Sequence, residues 1–162
     1  MAARIPLPSD DTIILGLPDT SGLAPELDEL RGASPTAVTT EHLDPITAEV
    51  VRLRNAVHQG CNLCQGLRSK SALDSGATED QLSAVLRDER GGLTPHQKAA
   101  AQVADAYLVD AGILDDETRT AVLQHLTPEQ LVEVVVRLAN WSYNKVLISL
   151  GFDLDEIRPQ VY

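Results

Sequence analysis

Aromatic side chains are scarce. The 162 residues include one Phe (Phe152), one Trp (Trp141) and three Tyr (Tyr107, Tyr143, Tyr162). A core here must be built mainly from Leu, Val, Ile and Ala. The apolar fraction still reaches 43%, which argues against global disorder. Positive charge is short as well: 13 Lys and Arg stand against 24 Asp and Glu, a net charge of −11. That balance argues against nucleic acid, whose phosphates need neutralising cations, and against anionic membrane surfaces; its plain consequence is solubility. No apolar run approaches the roughly 20 residues a membrane helix requires. The run IILGL at 13–17 follows Asp10 and Asp11, where a secretory leader would carry basic residues. The expected compartment is the cytoplasm. Only two cysteines occur, Cys61 and Cys64. Thiols there are normally kept reduced, and a bridge between such near neighbours would close too short a loop to stabilise much. The pair therefore reads as reactive or metal-binding before it reads as a staple.

A chain of this length fits one domain that buries ~70% of its unfolded surface. Residues 1–43, broken by Pro6, Pro8, Pro18, Pro25 and Pro35, predict an irregular N-terminal arm with at most one short helix, around 24–32. Residues 44–162 predict an all-α domain of about six helices. Asp44-Pro45 opens the first, and Ile46, Val50, Leu53 and Val57 fall on one of its faces. Gly60 interrupts, and a second helix is expected from about Cys61 to Leu73. Thr78 with Gln81, Thr94-Pro95 with Gln97, Asp115 or Asp116, and Thr127-Pro128 with Gln130 start four more. No convincing strand is visible.

The stretch HQGCNLCQGLR at 58–68 carries the candidate chemistry. Zinc fails on ligand count: a structural site needs four, and one Cys-x-x-Cys with His58 supplies three. Two buried core thiols remain an open reading. Redox chemistry is favoured by Gly60, which puts the pair in the first turn of a helix, where backbone N–H groups favour a thiolate. Arg68, four residues after Cys64, would add positive charge on the same helical face. Glu49 sits among Ile46, Val50 and Leu53. A break at Gly60 could fold the second helix back so that this carboxylate faces the thiols as a proton shuttle. From sequence alone, an exposed first-turn glutamate is the simpler expectation.

Glu49, Cys61 and Cys64, with the intervening spacing, the Arg-Leu-Arg run at 52–54 and SALDSGATEDQL at 71–82, resemble the carboxymuconolactone decarboxylase-like superfamily, in its alkylhydroperoxidase D-like branch. LTPHQKAAAQVADAY and a last helix bearing Trp141 and Asn144 extend the resemblance over roughly 44–152. It implies an all-helical fold assembled as a homotrimer or hexamer, and a thiol-dependent peroxidase or disulfide reductase. Cys64 would attack a small hydroperoxide, Cys61 would resolve, Glu49 would relay protons, and a dithiol or redox protein would restore both thiols. No metal, flavin or nucleotide is implied. The family's histidine falls at position 68, where this chain has Arg68, which cannot relay protons near neutrality; His58 is a conceivable substitute. A lactone-acid decarboxylase and a non-catalytic, redox-sensing oligomer are the alternative readings.

Overall fold

The computed structural model describes residues 42–151 and 160–161. The expected arm and its short helix therefore lie outside the described residues, except for His42 and Leu43. The backbone amides of both donate to the buried Glu133 carboxylate (3.1 and 3.2 Å). Seven α-helices occur among the described residues: α1 (Pro45–His58), α2 (Asn62–Gly66), α3 (Lys70–Asp74), α4 (Glu79–Leu86), α5 (Pro95–Leu108), α6 (Asp116–His125) and α7 (Pro128–Gly151).

The starts follow the caps. Asp44 accepts the amide of Thr47 at 2.9 Å, Thr78 that of Gln81, and Asp115 that of Thr118. Thr94 and Gln97 form a reciprocal capping box, as do Thr127 and Gln130. The predicted second helix is corrected. It breaks after Gly66 into α2 and α3, and between them Leu67–Arg68 form a two-residue strand, β1. This pairs in parallel with β2 (Gln160–Val161), Leu67 opposite Gln160. The absence of strands read from the sequence is corrected with it. Two-residue strands have no alternation to read, and this pairing is set by a partner from the far end of the chain.

Helix α1 is the axis of the domain. Val51 packs into a cluster with residues of α5, α6 and α7. Val50 and Leu53 pack into a second cluster with α3, α4 and α5. Because both flanks are covered, polar side chains that a half-exposed helix would give to water are inside: Glu49, Arg52, Arg54 and Asn55 are all buried. The end of α1 then reverses the chain. Gly60 takes φ +62°, its amide bonds Val57 O (3.0 Å), and the Cys61 amide bonds Ala56 O (3.1 Å). This is a Schellman ending, and the left-handed residue it demands is the one glycine adopts without strain. It delivers Cys61 directly onto Ala56, with which it is buried.

Candidate functional site

The thiols come first. Cys61 is the N-cap of α2, and its Sγ accepts the Cys64 amide at 3.2 Å. Both sulfurs belong to one small buried cluster with Ala56 and Leu63, and they are not joined to each other. Cys61 is fully enclosed; Cys64 keeps a little exposure.

Glu49 is only 2% exposed, so the simpler sequence expectation, an exposed first-turn glutamate, is corrected. Its neighbours on α1 are covered on both flanks, and its charge has a dedicated partner. Arg52 donates from Nε to Glu49 Oε2 and from Nη2 to Oε1, both at 2.7 Å. The Ser69 amide donates to Oε1 as well, at 3.1 Å. The same guanidinium reaches across the chain reversal: Nη1 donates to Cys64 O (2.7 Å) and Nη2 to Leu67 O (2.6 Å). The second segment does fold back over Glu49, as the break at Gly60 implied. The link runs through Arg52, which clamps the backbone at Cys64 within α2 and at Leu67 just after it. Arg52 was not among the sequence candidates, although it stands in the Arg-Leu-Arg run, three residues after Glu49.

Lys145 is the other residue missed. It lies on α7, is 3% exposed, and sits 5.6 Å above the Trp141 ring, which Arg137 also approaches (5.8 Å). Burial lowers the Lys145 amine to about 8; Cys64, Cys61 and Glu49 act in the opposite sense and Arg52 in the same one. Those four groups are therefore its electrostatic neighbours. Lys145 is the only charged residue between Arg137 and Asp153 in the sequence, and that was the available signal.

Arg68 shares the Leu67 carbonyl with Arg52 but spends its remaining hydrogen bonds elsewhere, and His58 belongs to a different cluster. Arg68 was placed on the same helical face as Cys64; that is corrected, because α2 ends at Gly66 and Arg68 is in β1. Its guanidinium is buried and grips Glu79 with two bonds (2.9 and 2.7 Å) while capping Gln65 O and Leu67 O. The hydrogen bond from Arg68 holds Glu79 below the usual carboxylate value. His58 ends α1, with Nε2 2.7 Å from Asp105 Oδ1 and 3.2 Å from Arg54 Nη2. Burial alone would raise the Asp105 carboxyl, but His58, Arg54 and Arg90 together hold it below its ordinary value. This cluster ties α1 to α5. Among the described residues, no three His, Cys, Asp or Glu converge as metal ligands. No described helix is long and apolar enough to cross a membrane. With Arg68 committed to Glu79, Arg68→Gln is expected to leave the alkylation rate of Cys64 unchanged and to cost about 1–3 kcal/mol of stability through lost charged hydrogen bonds. Iodoacetamide kinetics and urea titration check both. A marked slowing of alkylation would return Arg68 to the site.

Comparison with known proteins fits this geometry. The model of the carboxymuconolactone decarboxylase family matches residues 25–106. The chain belongs to that family. An uncharacterized protein of Mycobacterium tuberculosis is 33% identical over 129 residues, 79% of this chain and 45% of the relative. The uncharacterized protein YdfG of Bacillus subtilis is 26% identical over 108 residues, 65% of this chain and 74% of its own length. The chain thus spans less than half the length of the mycobacterial relative. A crystal structure from Agrobacterium tumefaciens, of a protein of unknown function provisionally assigned to antioxidant defence as AhpD, superposes with a TM-score of 0.66 at 18% identity. It covers 82% of this chain and 92% of that one. The fold of this family member is the alkylhydroperoxidase D-like helical fold.

Proposed function

We propose that Cys61 and Cys64 form a redox-active dithiol whose oxidant is a hydroperoxide. The observation that carries this reading is the sulfur of Cys61 seated on the Cys64 amide one turn away, both thiols enclosed beside a clamped carboxylate and a buried amine. Positions three apart in one helical turn lie within the Cα separation a disulfide spans, ~4.4–6.8 Å.

In the cycle, the Cys64 thiolate attacks the terminal peroxide oxygen. An S–O bond forms, the O–O bond breaks, and the departing alkoxide takes a proton to leave as alcohol. The Cys61 thiol then displaces water from the Cys64 sulfenic acid, forming the disulfide. An external dithiol returns both thiols by two exchange steps and is itself oxidised. The residual exposure of Cys64 supports its role as the attacking sulfur, with Cys61 resolving. Glu49 acts here by fixing Arg52, and so the backbone at Cys64 and Leu67. The test is oxidation by hydroperoxide followed by peptide mapping for a Cys61–Cys64 link.

Two observations favour a second reading, a decarboxylase-like enzyme or a diverged redox sensor. The matching family is named for a decarboxylase, and Arg68 stands where a titratable histidine would serve a peroxidase. The buried cations Lys145 and Arg52 would equally suit a carboxylate substrate. Such an enzyme would ignore peroxide, and a sensor would oxidise once and stop.

We also propose a homotrimer or hexamer. In the single chain α7 carries an outward apolar stripe: Val132 is 64% exposed, and Val135, Val136 and Tyr143 on the same side are exposed too. Exposed valines in that register are what an interface between copies would cover. Val132→Lys with Val136→Glu is expected to convert the assembly to monomer in sedimentation velocity. A wild type already monomeric at micromolar concentration would contradict the proposal.

A further inference from the structure

Among the described residues, the charges around the thiols do not balance without one more anion. Glu49 is matched by Arg52 through two hydrogen bonds, so that pair is neutral. Lys145 remains, an amine 3% exposed in a site whose other described titratable neighbours are Cys61 and Cys64. Its placement is fixed by packing. The Asn55 amide donates to Ser142 Oγ at 2.8 Å, setting the register of α1 against α7. One turn on from Ser142 is Lys145, and one turn back from Asn55 is Arg52. On its own helix the nearest cation is Arg137, on the same Trp141 ring, and Arg137 is already paired with Glu133 at 2.7 Å. A buried ammonium is costly unless an anion accompanies it.

We infer that Lys145 is the counter-cation of the Cys64 thiolate and the proton donor to the oxygen that leaves when that thiolate is oxidised. This rests on the dithiol reading above and deepens it. The step balances: thiolate, hydroperoxide and ammonium give sulfenic acid, alcohol and neutral amine. The amine then takes the Cys61 proton. The resulting thiolate displaces hydroxide from the sulfenic acid, and the ammonium protonates that hydroxide to water. The disulfide is left beside a neutral amine, so the site has no net charge in either redox state. Lysine thereby takes the task that Arg68, with a guanidinium that stays protonated and faces Glu79, cannot perform. Among the groups that raise the Lys145 amine, Cys64 has the largest effect, ahead of Cys61 and Glu49, in agreement with this pairing.

The test uses the full chain and two readouts. Alkylation of Cys64 by iodoacetamide, resolved by peptide mass, is followed against pH; hydroperoxide consumption is followed with excess dithiothreitol. Lys145→Met is expected to slow alkylation at pH 7 roughly tenfold or more and to move its midpoint up by about one unit or more. Lys145→Arg keeps a fixed cation, so alkylation should stay near wild type while peroxide turnover falls by about tenfold or more, for want of a proton donor. Lys145→Gln serves as a second neutral variant should Lys145→Met lose its helical circular dichroism. A midpoint unmoved in a folded neutral variant overturns the inference, and so does wild-type turnover in Lys145→Arg. If the wild type consumes no peroxide yet the midpoint moves, the thiolate pairing stands, and it is the choice of hydroperoxide as oxidant that fails.

Discussion

Replacing Arg52 with methionine is expected to lower the stability of the fold by about 3–5 kcal/mol, the cost of removing one partner from a buried ion pair. The substitution leaves the Glu49 carboxylate 2% exposed without its guanidinium, and it strips the donors from Cys64 O and Leu67 O together. The thiol segment would lose its anchor to α1 as the core loses its charge balance. Urea titration measures the first effect. Hydrogen exchange measures the second, as faster exchange confined to residues 61–69. The pair Glu49→Leu with Arg52→Met should recover much of the loss, because removing both charges costs far less than stranding one. A loss below about 1 kcal/mol for Arg52→Met would mean that the clamp contributes no more than a surface ion pair does.

Lys145→Met is expected to do the opposite and stabilise the protein, by an amount that depends on pH. Burial lowers the Lys145 amine from 10.5 to about 8 on folding. Below pH 8 folded and unfolded chains both carry the proton, and the folded chain bears the full cost of the buried charge. Between about 8 and 10.5 the unfolded chain still holds a proton that the folded chain has released, so wild-type stability rises with pH in that window. Above it the cost is gone. The gain from methionine should therefore be on the order of 3 kcal/mol at pH 7, the attraction of the thiols being already contained in that shift, and should shrink steadily toward pH 10. Urea midpoints of wild type and variant at the two pH values give the difference directly, and the titrating groups that Lys145 does not act on cancel. A gain that grows with pH would reverse the sign of the argument. A residue that costs stability where it sits is the pattern expected of a functional group, whose removal stabilises the fold at the expense of activity.

What could be read from the sequence was what local chemistry decides. Asp44, Thr78, Thr94 and Thr127 announce helix starts because a cap needs only a side chain and the next three residues. Gly60 announced the reversal, because a left-handed residue must follow α1 there. The two cysteines were legible as a pair for the same reason. The break after Gly66 was not: an i, i+4 argument placed Arg68 beside Cys64 by assuming a continuing helix, and the strand that interrupts it exists because of β2. Glu49 was ambiguous because a glutamate next to an apolar stripe can face either way. Its burial depends on α1 being covered on both flanks, a property of α3, α4, α5 and α7 together. Arg52 and Lys145 escaped notice because each acts across the chain, Arg52 on the carbonyls of Cys64 and Leu67 and Lys145 from α7 onto the thiols. Lys145 alone left a trace, a solitary charge in a run of fifteen residues (138–152).

The most direct measurement is the consumption of an organic hydroperoxide by the purified chain under excess dithiol, with intact mass followed when the dithiol is withdrawn. The dithiol reading predicts sustained turnover that is lost in Cys64→Ser. In the wild type it predicts a mass decrease of two hydrogens, which peptide mapping places in a Cys61–Cys64 disulfide. Both thiols remaining reduced under excess hydroperoxide, or a single oxidation with no turnover, would contradict it.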